Sequence, residues 1–324
     1  MQAIIPPVDR AALKAELNEK TLLRTTNRAG NELYVVGPEC PNVIREIGRL
    51  REIAFRNGGG GTGEALDIDA FDTDPAFGYR QLVLWDPDAQ EIIGGYRFCL
   101  CDQAVFDKEG QPILTSSHMF QFSKRFLKEY LPYTLELGRS FVSVEYQSSK
   151  SGAKSLYALD NLFDGIAAIG ILYKDRIKYF FGKATIYQEY PQETRELVMY
   201  FLRHYFGKGS RLLKIRKEVK VENPRRFSKM FKGLDYKEGY RALKAEVQKQ
   251  GVSIPPLVNT YMNLSPTMIY FGTGINDEFG DVYDSGILVT FEDLYPEKRQ
   301  RHAESFLKQG WRNIRKLLHR MQRH

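Results

Sequence analysis

The order of patterns along this chain predicts a mixed α/β fold. Three observations carry that prediction: long stretches with apolar residues at helical spacing, β-branched and aromatic runs of strand length, and the interleaving of the two along the chain. A length of 324 residues suffices for one good-sized core or two small ones.

Pro41 to Asn57 puts Val43, Ile44, Ile47, Leu50, Ile53 and Ala54 on one face and charge on the other, then runs into Gly58 to Gly61. That pattern predicts a helix ended by a flexible loop. Arg80 to Trp85 and Ile92 to Cys101 are β-rich and flank Asp86-Pro87-Asp88-Ala89, so they predict a hairpin. Pro132 closes the helical pattern of Lys124 to Tyr130, and the β-prone run Thr134 to Tyr146 follows as a central strand with a glycine inside it. Ser155 to Leu172 predicts an amphipathic helix, Ile177 to Tyr187 a strand, and Gln192 to Phe206 another helix. From Arg203 to Lys249 the chain reads as helical pieces broken at Pro224 and Gly233. Pro255 and Pro256 open a last β-rich region, with strands at Met268 to Phe271 and Gly286 to Phe291. The expected organisation is a single domain over 1–296, with 203–249 a basic helical insertion, and a basic amphipathic C-terminal helix over 297–324.

The least polar run, Gly165 to Tyr173, is less than half of the roughly 20 residues that cross a bilayer. Met1 to Leu17 carries Pro6, Pro7, Asp9 and Arg10 where a secretory signal needs an unbroken apolar stretch. The expected location is cytoplasmic. Cys40, Cys99 and Cys101 are too few and too irregularly spaced for a disulfide framework or a zinc site, so they read as reduced thiols. The formal charge of +7 is unevenly distributed. Arg203 to Lys249 holds 15 Lys and Arg against 5 Asp and Glu, and Lys298 to His324 holds 9 against 1, so the remainder is net acidic. Basic segments on an otherwise acidic chain offer themselves to an anionic partner: nucleic acid, anionic lipid or an acidic carrier protein.

The most informative segment is Leu135-Glu136-Leu137-Gly138-Arg139-Ser140-Phe141-Val142. Two charges inside a strand-like apolar run are costly unless they are paired or used. Strict alternation would put Glu136 and Arg139 on opposite faces. A bulge at Gly138 would bring them to one side and leave backbone N–H groups unpaired, which an oxyanion needs. A structural ion pair is the alternative. Upstream, Arg97 interrupts the second hairpin strand, Asp69 and Asp72 sit three apart, and Arg51 and Phe55 lie one helical turn apart. Taken singly, each has an ordinary explanation as a solvated Arg, a helix-capping Asp or a wet helix face.

The order Arg51, Phe55, Asp69-x-x-Asp72, Gly95-x-Arg97 and Glu136-Leu137-x-Arg139 resembles the acyl-homoserine-lactone synthases. The wording Leu-Glu-Leu-Gly-Arg-Ser, with Phe181-Gly182 and Pro255-Pro256-Leu257, is closer still to the hemolysin-like N-acyltransferases of ornithine-lipid and glycine-lipid synthesis. The resemblance implies the fold of the Gcn5-related acetyltransferases (GNAT): a central mixed, mostly antiparallel sheet flanked by helices. It implies a fatty acyl group, 3-hydroxylated in some of these lipids, carried as a phosphopantetheine thioester on acyl carrier protein, with acyl-CoA the other donor. The acceptor it implies is the amino group of a small amino acid, glycine first and ornithine next. No bound cofactor and no metal are implied.

Carried over by residue, the resemblance implies catalysis by Glu136, Gly138 and Arg139, and acceptor binding by Arg51, Phe55, Asp69, Asp72, Arg97 and Ser140. Phe141, Val142, Lys150 and Lys154 would hold the pantetheine arm. Lys150 stands where acetyl-CoA enzymes of this fold have the first glycine of a pyrophosphate loop. With Lys154 at a helix start it suits the single phosphate of a carrier-borne arm. Gly58 to Gly63 lacks the Lys-Ser/Thr of a nucleotide loop and reads as a mobile lid.

In that scheme Glu136 takes the proton that the acceptor amine must lose, directly or through a water. The competing reading is an inactive scaffold of the same fold that binds membrane or a partner. Its basis is the tail, where Leu307, Trp311, Ile314, Leu318 and Met321 form a stripe flanked by Lys308, Arg312, Arg315, Lys316 and Arg320. The same stripe suggests peripheral contact of the enzyme with an anionic membrane, on the inner face of the cytoplasmic membrane. A sequence pI near 9.1 without a recognisable module predicts no specific nucleic-acid partner.

Overall fold

The computed structural model describes residues 1–147 and 157–308. Its strands are β1 (Leu22–Thr25), β2 (Glu32–Val36), β3 (Tyr79–Asp86), β4 (Glu91–Leu100), β5 (Phe120–Phe122), β6 (Thr134–Val142), β7 (Tyr179–Ile186), β8 (Leu213–Ile215), β9 (Ile269–Asn276) and β10 (Val282–Thr290). Its main helices are α1 (Arg10–Glu16), α2 (Pro41–Asn57), α3 (Ala70–Thr73), α4 (Lys124–Glu129), α5 (Ala158–Leu172), α6 (Gln192–Phe206), α7 (Pro224–Phe231), α8 (Tyr236–Lys249) and α9 (Pro256–Met262). The chain forms two compact units. The first takes Met1–Val105, Tyr133–Lys178 and the segment from Tyr295, and the second takes Phe106–Pro132 and Tyr179–Leu294.

In the first unit the strands run β1-β2-β3-β4-β6, each pair of neighbours antiparallel. The β3–β4 turn is held by Asp86, whose carboxylate accepts from the backbone N–H groups of Asp88 and Ala89. Helix α5 presses close on one face: a Cβ on Gly165 would meet the Leu82 side chain at 2.7 Å. Because side chains alternate across a strand, Gln81 and its neighbours point to the opposite face. Arg51 of α2 reaches Gln81 there. Helix α2 buries Val43, Ile44, Ile47, Leu50, Ala54 and Phe55, as its apolar stripe requires.

The glycine run after α2 is tied at its far end. Glu52 accepts from the N–H and hydroxyl of Thr62 at 3.0 and 2.8 Å and from the N–H of Gly63 at 2.8 Å. These bonds hold its carboxyl below the ordinary range although burial works the other way. A freely mobile lid over the whole of Gly58 to Gly63 therefore does not describe it.

In the second unit β7, β10 and β9 lie side by side in that order, each neighbouring pair antiparallel. The short β5–β8 pair packs on it where glycines leave room: a Cβ on Gly286 would meet Phe120 at 2.7 Å, and one on Gly274 would meet Ile215 at 2.8 Å. Phe181 sits among the rings of Phe120, Phe122, Phe126 and Phe271. The basic stretch contributes α7, opened by Pro224, and α8, separated from it by Gly233 in the left-handed region. Their apolar residues Phe227, Phe231, Leu243 and Val247 are buried, which leaves the cations outside.

Several boundaries differ from those expected. β9 and β10 extend over Gly272–Gly274 and back to Val282, where the glycines allow close packing of neighbouring side chains. β6 ends at Val142 in a 3₁₀ turn. β1 and β2 were not anticipated: β1 is four residues long, and β2 is a short buried run without alternation. The helical turns from Pro296 to Lys308 are not detached from the core. His302, Ala303 and Phe306 are buried. His302 Nδ1 lies 2.7 Å from Asp164 of α5, and Asn27 donates to the Ser305 hydroxyl at 2.8 Å. The rest of the expected tail stripe, from Trp311 onward, lies outside the described residues.

Candidate functional site

The site is built on the face of the first unit opposite α5. Helix α3 is a single turn nucleated by Asp69, whose carboxylate accepts from Phe71 N–H at 2.9 Å, while Asp72 reaches back to Asp69 N–H at 3.1 Å. This reciprocal capping box points both carboxylates at strand β4. Arg97 meets Asp69 at 2.6 Å and Asp72 at 2.9 Å. Arg51 meets the other oxygen of Asp72 at 2.9 Å and Gln81 at 2.6 Å, and Gln81 donates to Asp72 at 2.7 Å.

Arg51, Asp72 and Arg97 are at most 2 % exposed, and their two positive charges are met by Asp72 together with the neighbouring carboxylates Asp69 and Asp67. Burial alone would raise the pKa of Asp72, but Arg51 and Arg97 outweigh it and hold the carboxyl well below the ordinary range. Burial likewise opposes the charge on Arg97, and Asp72 and Asp69 reverse that, so its guanidinium stays protonated. Replacing any one of the three would strand a buried charge.

The bulge between β4 and β6 is present. Gly95 pairs with Phe141 and Arg97 with Gly138, so Arg139 and Ser140 together oppose Tyr96. The left-handed backbone falls on Arg139, at φ 48°, and not on Gly138. For a residue with a Cβ this conformation costs of order 1–3 kcal/mol, a strain that clusters at functional sites. It swings Arg139 to the face of Arg97, where its guanidinium lies 3.3 Å from Asp67 and 3.9 Å from Asp69. These contacts are longer than those of Arg97, and the Arg139 and Asp69 side chains keep 23 % and 34 % exposure, so this end of the cluster reaches solvent. Burial pushes the carboxyl of Asp67 up, with Arg139 opposing it, and its Oδ2 has no hydrogen-bond partner among the described residues.

Glu136 is buried, 1 % exposed, and accepts a hydrogen bond from the Tyr79 hydroxyl. Phe55 is buried one turn along α2 from Arg51. Ser140 is half-buried in the bulge. Phe141 is core: a Cβ on Gly95 would meet its ring at 3.0 Å, so the ring fills the space that glycine leaves. The Val142 carbonyl accepts from the Gln147 side chain at 2.7 Å. Lys150 and Lys154 lie outside the described residues. The structure thus brings together Arg51, Asp69, Asp72, Arg97 and Arg139, with Glu136 on the same face through Tyr79. Asp67, Tyr79 and Gln81 were not anticipated. The available signal was a polar residue inside the apolar run of β3, at the period that matches Arg97 and Cys99 in register.

The family model described as an acetyltransferase (GNAT) domain matches residues 50–156, which carry every residue of this cluster. The chain is an acyltransferase of that fold. Two bacterial relatives extend the match to nearly the whole chain. A glycine N(alpha)-acyltransferase of Phocaeicola vulgatus is 51% identical over 313 residues, covering 95% of each chain. Another of Bacteroides thetaiotaomicron is 49% identical over 309 residues, covering 95% of this chain and 91% of its own. The chain belongs to the GNAT-fold N-acyltransferase family that contains these two proteins.

Proposed function

We propose that the protein transfers a fatty acyl group from a phosphopantetheine thioester to the amino group of glycine, yielding an N-acylglycine lipid. The observation that carries this reading is that both relatives named for glycine match at about half identity along nearly their full length. The geometry supports it. Arg139, part-exposed beside Asp67, suits the acceptor's carboxylate, and a guanidinium grips a carboxylate in two places. The part-exposed Asp69 suits its ammonium.

Glu136 accepts the proton that frees the nitrogen lone pair, directly or through water. The nitrogen attacks the thioester carbonyl, amides at the 138–140 bulge face the oxyanion, the C–S bond breaks, and the thiol leaves with a proton. Arg51, Asp72 and Arg97 hold α3 and hence Asp69 in place.

Acyl carrier protein is the donor in this proposal, for the reasons given by Lys150, Lys154 and the surplus of basic surface. The tail beyond Lys308 is proposed to rest on anionic membrane, which would assist release of a lipid product. None of the described helices is long and apolar enough to cross a membrane. If anionic vesicles still pellet the protein after a cut behind Lys308, another surface makes that contact.

The test is mass spectrometry of products from purified protein, long-chain acyl carrier protein or acyl-CoA, and isotope-labelled glycine, with ornithine, alanine, serine and lysine in parallel. N-acylglycine formed fastest from the carrier-borne donor supports the proposal. Acylation of another amino acid with none of glycine overturns the acceptor, and equal turnover with acyl-CoA overturns the donor.

A further inference from the structure

We infer that Tyr79 is a positioning residue for the transfer, holding the Glu136 carboxylate by one oxygen in the orientation that receives the acceptor's proton. The inference rests on the reading of Glu136 as the proton acceptor. Register puts the two residues in line across three strands, Tyr79 opposite Cys99 and Cys99 opposite Glu136. The Tyr79 hydroxyl donates to Glu136 Oε2, with both side chains nearly fully buried.

The phenol ring is itself fixed. Phe71 meets it edge-on at 5.0 Å, and the Arg97 guanidinium lies 5.6 Å from its centre and equally far from that of Phe71. Phe71 belongs to α3, whose caps Asp69 and Asp72 bind the same Arg97. One interlocked set therefore orients the carboxylate and the acceptor-facing Asp69 together.

Burial and the charge of Glu136 push the phenol well above its ordinary value, so it stays protonated and acts as a donor. Besides Arg97, Cys99 and Cys101 face the pair, both raised by burial and neutral at physiological pH, with Asp102 beyond them. A buried carboxylate is costly, and a glutamine would fill a purely structural position at lower cost.

The test reads kcat and KM for glycine on the full chain between about pH 4 and about pH 9, a span that takes in the ordinary carboxylate range. Tyr79→Phe keeps the ring and removes the hydroxyl. At neutral pH kcat falls about tenfold to a hundredfold, the effect of losing one hydrogen bond to a charged group. KM for glycine stays within about threefold, and the acid limb of the profile moves to higher pH, because the ionised carboxylate has lost a donor. Tyr79→3-fluorotyrosine, a stronger donor of nearly the same size, moves that limb to lower pH.

A limb unmoved in both variants, or a kcat loss of the same factor at every pH, overturns the inference. Should Tyr79→Phe not fold, the fluorotyrosine variant decides alone by the direction of its shift. Glu136→Gln in the same series separates the two readings. If it keeps more than about a third of the turnover, where a base should cost a hundredfold or more, the role of Glu136 is wrong. If it fails as expected while the Tyr79 variants move nothing, only the positioning role falls.

Discussion

The charge cluster of the first unit and the cation face of the second use the same residue types in opposite environments. Around α3, Arg51, Arg97, Asp69 and Asp72 bond one another at 2.6 to 2.9 Å, and all but Asp69 are buried. On α7, α8 and the chain before them, Arg211, Lys214, Arg225, Lys229, Lys232 and Arg241 are exposed and have no ion pair among the described residues. Arg226 and Lys249, by contrast, pair with Glu193 and Glu246. Desolvated charges are strongly coupled and intolerant of single losses, whereas solvated ones contribute little to folding and remain available for association. The first arrangement suits a site that must not move, and the second a surface that meets an anionic partner.

Three measurements sharpen or break this contrast. The largest effect is expected of Asp72→Asn, which leaves two buried guanidinium groups with one counter-charge fewer. A cost of about 3–5 kcal/mol should lower the melting temperature by about 10 °C in a thermal scan. An unchanged melting point would mean that the cluster is solvated and the contrast false.

Next comes Arg139→Lys. An ammonium cannot reproduce a two-pronged grip, and the left-handed backbone is retained, so KM for glycine should rise about tenfold with little change in melting temperature. A melting point lowered as far as in Asp72→Asn would assign Arg139 to the structural half of the cluster. The smallest effect on folding belongs to the triple reversal Arg225→Glu, Lys229→Glu and Lys232→Glu on α7 and the residue that caps its end. Each exposed change should stay within about 0.5 kcal/mol, while salt-sensitive binding of an acidic carrier protein, read by titration calorimetry, should weaken. A large loss of stability with binding intact would reverse the assignment.

Legibility followed the same division. The α2 helix was readable to its end residues because an amphipathic period, an opening proline and a closing glycine agree there. The sequence alone also marked Glu136 and Arg139, because charge inside an apolar strand has few explanations, and it marked a break in the strand between them. It did not say which residue would adopt the left-handed turn. Glycine was the natural guess, but Arg139 carries it, since the register with Gly95 and Arg97 sets where the extra residue must fall.

Asp67 and Tyr79 were invisible as site residues for a related reason, and Gln81 showed only as a polar residue inside the apolar run of β3. Their roles come from strands and loops brought together across long separations. Composition and periodicity determine which residues are buried and in what kind of element, because those depend on neighbours along the chain. Which buried charge meets which, and which hydroxyl meets Glu136, depends on sheet register and on the bulge, and only the tertiary structure decides those.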